Sequence, residues 1–172
     1  MRRILLNSAS VTDSTKLLSQ KARFMSKIFS KPLIVPLDFS EASVDALKTA
    51  LEMIESPDMI EVIHVTPRLS AADPGVVWGG VTEVSVVENL SKSFKEICDK
   101  EGFPELKFSA VFGDPGSSIA EFAKEKDAGL VVISSHGRTG IRRLLLGSVA
   151  ERVVRLAPCP VLVLRDDDHG EG

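Results

Sequence analysis

Aromatic residues make up only 5% of this chain, so its core has to be built from Val, Leu, Ile and Ala. Cysteine is scarce as well: Cys98 and Cys159 are the two in 172 residues. Two thiols do not make the disulfide framework of a small secreted domain, and they fit a reducing cytoplasm. Cys159 lies between Pro158 and Pro160 at a strand start and Cys98 on an apolar helix face. Both read as buried structural thiols rather than redox centres. No apolar run approaches the roughly 18 residues of a membrane span. An excess of positive charge is also missing. The formal net charge of −3 argues against a general nucleic-acid binder.

What is present suits one domain. Apolar residues amount to 44%, enough for a single core at this length. Charge is distributed unevenly. Residues 1–30 hold six Lys or Arg and one Asp, while the remainder has 15 basic and 23 acidic residues, a formal −8. This basic, serine-rich leader contains Leu5, Leu6, Leu17, Leu18, Phe24 and Met25. Three readings are open for it: a targeting or membrane-surface helix, an unstructured tail, or a start codon placed upstream of true initiation at Met25. Tail or mis-start ranks ahead of targeting. The acidic stretch 166–172 reads as a solvated tail. The expected organisation is a leader over 1–30, a domain over 31–165 and a tail over 166–172.

From Lys31 onward, strand and helix signals alternate. Leu33–Leu37, Ile60–Val65, Leu130–Ile133 and Val161–Leu164 are short apolar runs that read as strands, and Leu106–Phe112 reads as a strand whose alternation leaves one face more exposed. Ser40 is placed to cap the first helix after strand one, and Gly102 to end the second. Ser118 with Glu121, and Ser148 with Glu151, have capping-box spacing and predict two further helix starts. Five strands separated by helical segments imply an α/β fold with a parallel, doubly wound sheet. The expected order is 3-2-1-4-5. Ligands then bind beyond the carboxyl ends of strands one and four, at the topological switch point. Asp38 and Ser134 close those two strands.

The most informative stretch follows strand four: Ser134-Ser135-His136-Gly137-Arg138-Thr139-Gly140, then Gly147-Ser148-Val149-Ala150-Glu151. A strand end, a glycine-rich loop and a helix N-terminus make an anion site, with free N–H groups and a positive dipole end in one crevice. The segment resembles the nucleotide-binding motif of the universal stress proteins: Gly, two residues, Gly, nine residues, then Gly-Ser or Gly-Thr. Gly137 and Gly147-Ser148 match it, and Ser134 stands where the first glycine is expected. The resemblance covers Lys31 to Arg165 and includes the closing Ala157-Pro158-Cys159-Pro160-Val161-Leu162-Val163-Leu164.

That resemblance implies a Rossmann-like fold of the adenine-nucleotide alpha hydrolase type and ATP, with Mg²⁺, in the switch-point crevice. Asp38 is implied as a nucleotide contact or metal ligand, and its alternative is a carboxylate satisfying amides ahead of the first helix. Pro36 falls at a position where the family often carries proline. Val65 matches the position that packs on adenine, and Gly113, in Gly113-Asp114-Pro115, matches a turn near base and ribose. Gly137, Arg138, Gly140, Gly147, Ser148 and Val149 are the phosphate candidates. His64 reads as a core or loop histidine rather than a catalyst, and His136 has no sequence neighbour that would make it a base. Trp78, in the polar loop before the second helix, is open as a closing group or a packing group. The last strand is implied to pair with its copy, giving a homodimer in the cytoplasm.

Three functions follow in order. The first is an ATP-binding stress-response or signalling module with an unknown protein partner. The second is a member that binds no nucleotide and acts through protein contacts, a reading kept open by Ser134. The third is an enzyme on a related fold. Asp38-Phe39-Ser40-Glu41-Ala42-Ser43 contains neither the His-x-Gly-His of nucleotidyltransferases nor the Ser-Gly-Gly-x-Asp-Ser of pyrophosphatase-type ligases. At most, slow ATP hydrolysis is expected.

Overall fold

The computed structural model describes residues 16–68, 82–136 and 146–165 in full, and the backbone of 8–15. Its elements run α1 (Ser8–Phe29), β1 (Leu33–Pro36), α2 (Glu41–Glu52), a 3₁₀ turn (Pro57–Met59), β2 (Ile60–Thr66), α3 (Glu83–Glu101), β3 (Lys107–Phe112), α4 (Pro115–Glu125), β4 (Leu130–Ser134), α5 (Ser148–Leu156) and β5 (Val161–Leu164). The strands form one sheet in the order β3-β2-β1-β4-β5. Every neighbouring pair is parallel. This is the expected α/β, Rossmann-like arrangement.

Burial follows position in the sheet. All residues of β1 and β4 are buried, because helices cover both faces of the centre. The edge strands β3 and β5 hold no fully buried residue. Alternation along the strands sends side chains to two apolar layers. Leu33, Val35, Leu37, Val62 and Val132 pack with Val44, Leu47 and Ala50 of α2 and Phe94 of α3. Ile34, Ile63, Val131 and Ile133 pack with Ile119 and Phe122 of α4 and Ala150 and Val153 of α5. Each such aliphatic side chain contributes about 1.5–3 kcal/mol when fully buried. Few aromatics are needed: Phe94 and Phe108 stack at 4.5 Å between ring centroids.

The cysteines sit in these layers, Cys98 against the first and Cys159 against the second. Burial pushes both thiols above their ordinary pKa, which disfavours the reactive thiolate.

Three local expectations are corrected. The helix expected to start at Ser118 starts three residues earlier, at Pro115. Proline has no N–H to lose at that position and its φ suits a first turn, and Asp114 caps ahead of it. The helix expected to have Ser148 as its cap has Gly147 as cap instead, without a side-chain cap bond. Ser148 is therefore the first helical residue. The leader is not an unstructured tail over its described part, because residues 8–29 form α1. Its end is fixed to the domain: Ile28 and Phe29 pack against the first apolar layer. A Cβ on Gly129 would collide with the Ile28 carbonyl, which explains glycine there. Lys31 and Asp127 close the junction with an ion pair of 2.6 Å. The loop carrying Trp78, most of the glycine-rich loop after β4 and the stretch 166–172 lie outside the described residues.

Candidate functional site

Beyond the carboxyl ends of β1 and β4 lies a cavity of about 290 Å³. Its floor is the apolar end of the sheet, from Pro36, Leu37, Ile63, Val65 and Ile133. One wall is Asp38 with Ser43, a second is Ser134-Ser135-His136, and the helix ends supply Pro115 and Ile119 of α4 and Gly147 to Ala150 of α5. A largely apolar floor with a few convergent polar groups is the usual make-up of a small-molecule site.

The polar wall after β1 is tightly cross-linked. Ser40 Oγ accepts from the Ser43 amide at 3.3 Å, capping α2. The Ser40 amide donates to Asp38 Oδ1 at 3.0 Å, and the Ser40 hydroxyl donates to the same oxygen. Asp38 therefore does satisfy an amide ahead of α2, as its structural alternative required, while still lining the cavity. Between them Phe39 holds φ at 66°, the left-handed region that a bulky side chain rarely adopts. Its ring lies 4.9 Å from that of His64. His64 is buried and its Nδ1–H donates to the Leu37 carbonyl at 2.7 Å, in keeping with the core reading.

The wall after β4 explains Ser134. Its hydroxyl donates to the carbonyl of His136 at 2.8 Å. The extra oxygen is thus spent on its own loop, where it ties the first turn. Next to it, Ser135 Oγ and His136 Nδ1 are 3.0 Å apart. His136 Nε2 is buried without a hydrogen-bonding partner, alone in this among the described side chains. An unmet buried polar atom costs about 1–3 kcal/mol, so a ligand atom that pairs with it gains correspondingly.

The third wall is the start of α5. The Gly147 amide donates to the Ser135 carbonyl at 2.9 Å. A Cβ at Gly147 would stand 2.8 Å from that same oxygen, so only glycine permits the approach. The Glu151 amide donates to the Gly147 carbonyl at 2.9 Å. The amides of Ser148, Val149 and Ala150 precede this first intrahelical bond, and no side chain caps them. Their residues line the cavity at the positive end of the α5 dipole.

Seven of the eleven residues expected at the site line this one cavity: Pro36, Asp38, Val65, Ser134, Gly147, Ser148 and Val149. Gly113 does not. Its amide donates to the Thr66 carbonyl at 2.9 Å, and a Cβ there would meet Ser118 Oγ at 2.5 Å, so packing on α4 sets the glycine. Pro115, two residues on, reaches the cavity in its place. Gly137, Arg138 and Gly140 lie outside the described residues. Sequence reasoning passed over Ile63, Ile119 and Ile133, whose buried faces were legible but whose position at the cavity floor was not. It also passed over Ser135 and His136 as cavity walls, although both stand inside the motif.

A family model described as the universal stress protein family matches residues 30–165. The chain belongs to the universal stress protein family. Among curated universal stress proteins, MJ0531 of Methanocaldococcus jannaschii is 35% identical over 141 residues, spanning 78% of this chain and 82% of its own. YxiE of Bacillus subtilis is 28% identical over 150 residues, spanning 80% of this chain and 100% of its own. Among solved structures, the hypothetical protein MJ0577 superposes with a TM-score of 0.66 at 25% identity, covering 82% of this chain and 99% of that one. The matched span includes every described residue of the crevice.

Proposed function

We propose that this universal stress protein binds an adenine nucleotide, ATP in the first instance, in the switch-point crevice and serves as a stress-response or signalling module. The observation that carries the reading is the uncapped start of α5: three amides at a positive helix end, held against the cavity by the Gly147–Ser135 contact. Such an end favours an anion, and a phosphate oxygen is the right size and charge to take those amides. The remaining walls suit the rest of a nucleotide. The apolar surface of Val65 and Ile63 offers a face for a base. His136 Nε2 offers a polar partner to a phosphate or ribose oxygen. Arg138 and the glycines of the phosphate loop would add to the anion site. The Ser134 hydroxyl is engaged within its loop, so it does not favour the reading without nucleotide.

Asp38 is the acidic residue lining the cavity. One of its carboxylate oxygens already accepts from Ser40. No cluster of three or more His, Cys, Asp or Glu exists among the described residues. This suits Mg²⁺ carried in by the phosphates and steadied by one carboxylate, not a metal caged by the protein. The partly exposed edge strand β5 is the surface for a symmetrical dimer, because an apolar edge needs a partner.

The test is calorimetric titration of ATP with magnesium into the wild type and into Val149→Glu, preceded by analysis of any nucleotide released on denaturing the purified protein. Val149 is exposed in the first turn of α5. A glutamate there suits the helix dipole and keeps the fold, while its charge occupies the anion position. Binding to the wild type, lost in the variant, is the expected result. Absence of binding to the wild type would overturn the proposal and redirect attention to protein partners.

A further inference from the structure

We propose that α1 is a docking helix for an anionic lipid surface, an inference that rests on α1 alone and not on the nucleotide reading. Every residue from Lys16 to Lys27 is exposed, so the helix stands off the domain on all sides until Ile28 and Phe29 enter the core. Yet it is not polar all round. Leu17 is 53% exposed, Leu18 66%, Phe24 57% and Met25 47%. At about 100° per residue these four and Ile28 fall within an arc of about 120°. Lys16, Arg23 and Lys27 cluster within about 40° on the far side of the helix. A solvated helix has no use for four unburied large apolar side chains, and a tail that merely avoids structure would not segregate them.

Charge selects the occupant. Residues 1–30 hold six Lys or Arg against one Asp, while the remainder carries a formal −8. An anionic surface therefore attracts α1 and repels the domain, which sets the orientation. Lys21 lies in the middle of the apolar arc. Against a second copy of α1 its ammonium would be buried in an apolar seam, at a cost in stability. At a lipid surface its stem can lie along the acyl boundary while the ammonium reaches a phosphate. The helix is not a membrane span, because no described helix is long and apolar enough to cross. Its attachment also leaves room. α1 meets the domain beside Lys31 and Gly129, at the amino-terminal rim of the sheet, whereas the cavity opens at the carboxyl rim.

The test is co-sedimentation of the full chain with phosphatidylcholine vesicles, with and without phosphatidylglycerol, with light scattering on the protein alone. The chain is expected to sediment with the anionic vesicles and to be released by high salt. Lys16→Gln, Arg23→Gln and Lys27→Gln together should weaken binding roughly a hundredfold. Leu18→Glu with Phe24→Glu should abolish it, with thermal stability unchanged because both residues are exposed. No sedimentation, or sedimentation that neither variant reduces, would overturn the proposal. So would an assembly whose mass falls in the Leu18→Glu, Phe24→Glu protein, since that would make α1 a seam between copies.

Discussion

Of the helices that begin at the cavity, α4 and α5 have first turns built in opposite ways. α4 follows β3 and α5 follows β4, and both pack into the same apolar layer. At α4, Asp114 Oδ1 accepts from the Ser117 amide at 3.0 Å and lies 3.3 Å from Arg152 Nε. That helix end already holds its anion. At α5 the cap is Gly147, which has no side chain to offer. The difference shows how one architecture yields a closed helix start and an open one within a few ångströms of sequence logic. A carboxylate at the cap makes a helix end self-sufficient, and a glycine leaves it able to receive charge from outside. The glycine is also forced from below, by the close approach of the Ser135 carbonyl.

The strongest way to break this comparison is Gly147→Val. The new Cβ would meet the Ser135 carbonyl, so we expect a loss of about 2–3 kcal/mol in denaturant unfolding together with loss of nucleotide binding. Because stability falls as well, this variant tests the approach of α5 to β4 and not the anion site alone. Val149→Glu separates the two, with ATP affinity down at least tenfold and the melting temperature held or raised. Asp114→Ala addresses the closed end. It should lower stability while leaving ATP affinity within about twofold, since α4 offers no vacant charge site.

The same residue gives a pH signature. Hydrogen bonding from Ser117, chiefly its amide, holds the Asp114 carboxyl below its ordinary pKa. A group depressed on folding contributes stability above its unfolded pKa and loses it as pH falls through the folded value. Acid unfolding of the wild type should therefore steepen below about pH 4, the ordinary carboxylate range, and flatten in Asp114→Ala. The smallest effect belongs to Ser134→Gly. Removing the bond to the His136 carbonyl should cost about 1 kcal/mol and shift ATP affinity less than threefold. A large gain in affinity would mean that the serine obstructs the site after all.

Strand positions were legible because the central strands are mostly apolar runs and β3 alternates, the order followed from the doubly wound class, and each observed strand lies within a residue of its expected ends. The two helix starts beside the cavity were not. Ser118-Glu121 and Ser148-Glu151 have the right spacing, but spacing alone does not say which residue stops being helical. At α4 a stronger pair, Asp114 then Pro115, sits upstream. At α5 a tertiary contact from Ser135 decides, and nothing local encodes it. Gly113, implied by the resemblance as a turn near base and ribose, is also required by its close contact with Ser118, which no sequence spacing announces. The leader could be read three ways because amphipathic order emerges only once a helix is assumed.

The hydrogen bond between the Gly147 amide and the Ser135 carbonyl has a consequence for engineering. It joins the two ends of the glycine-rich segment with a backbone-to-backbone clasp. Exchanging the stretch enclosed by that clasp is expected to leave β4 and the start of α5 in place, which thermal unfolding of a grafted chain checks. Doubling the length of that stretch would add only about 0.6 kcal/mol of closure entropy. Grafting segments at this clasp is therefore the direct route to changing what the crevice selects while the rest of the molecule stays as it is.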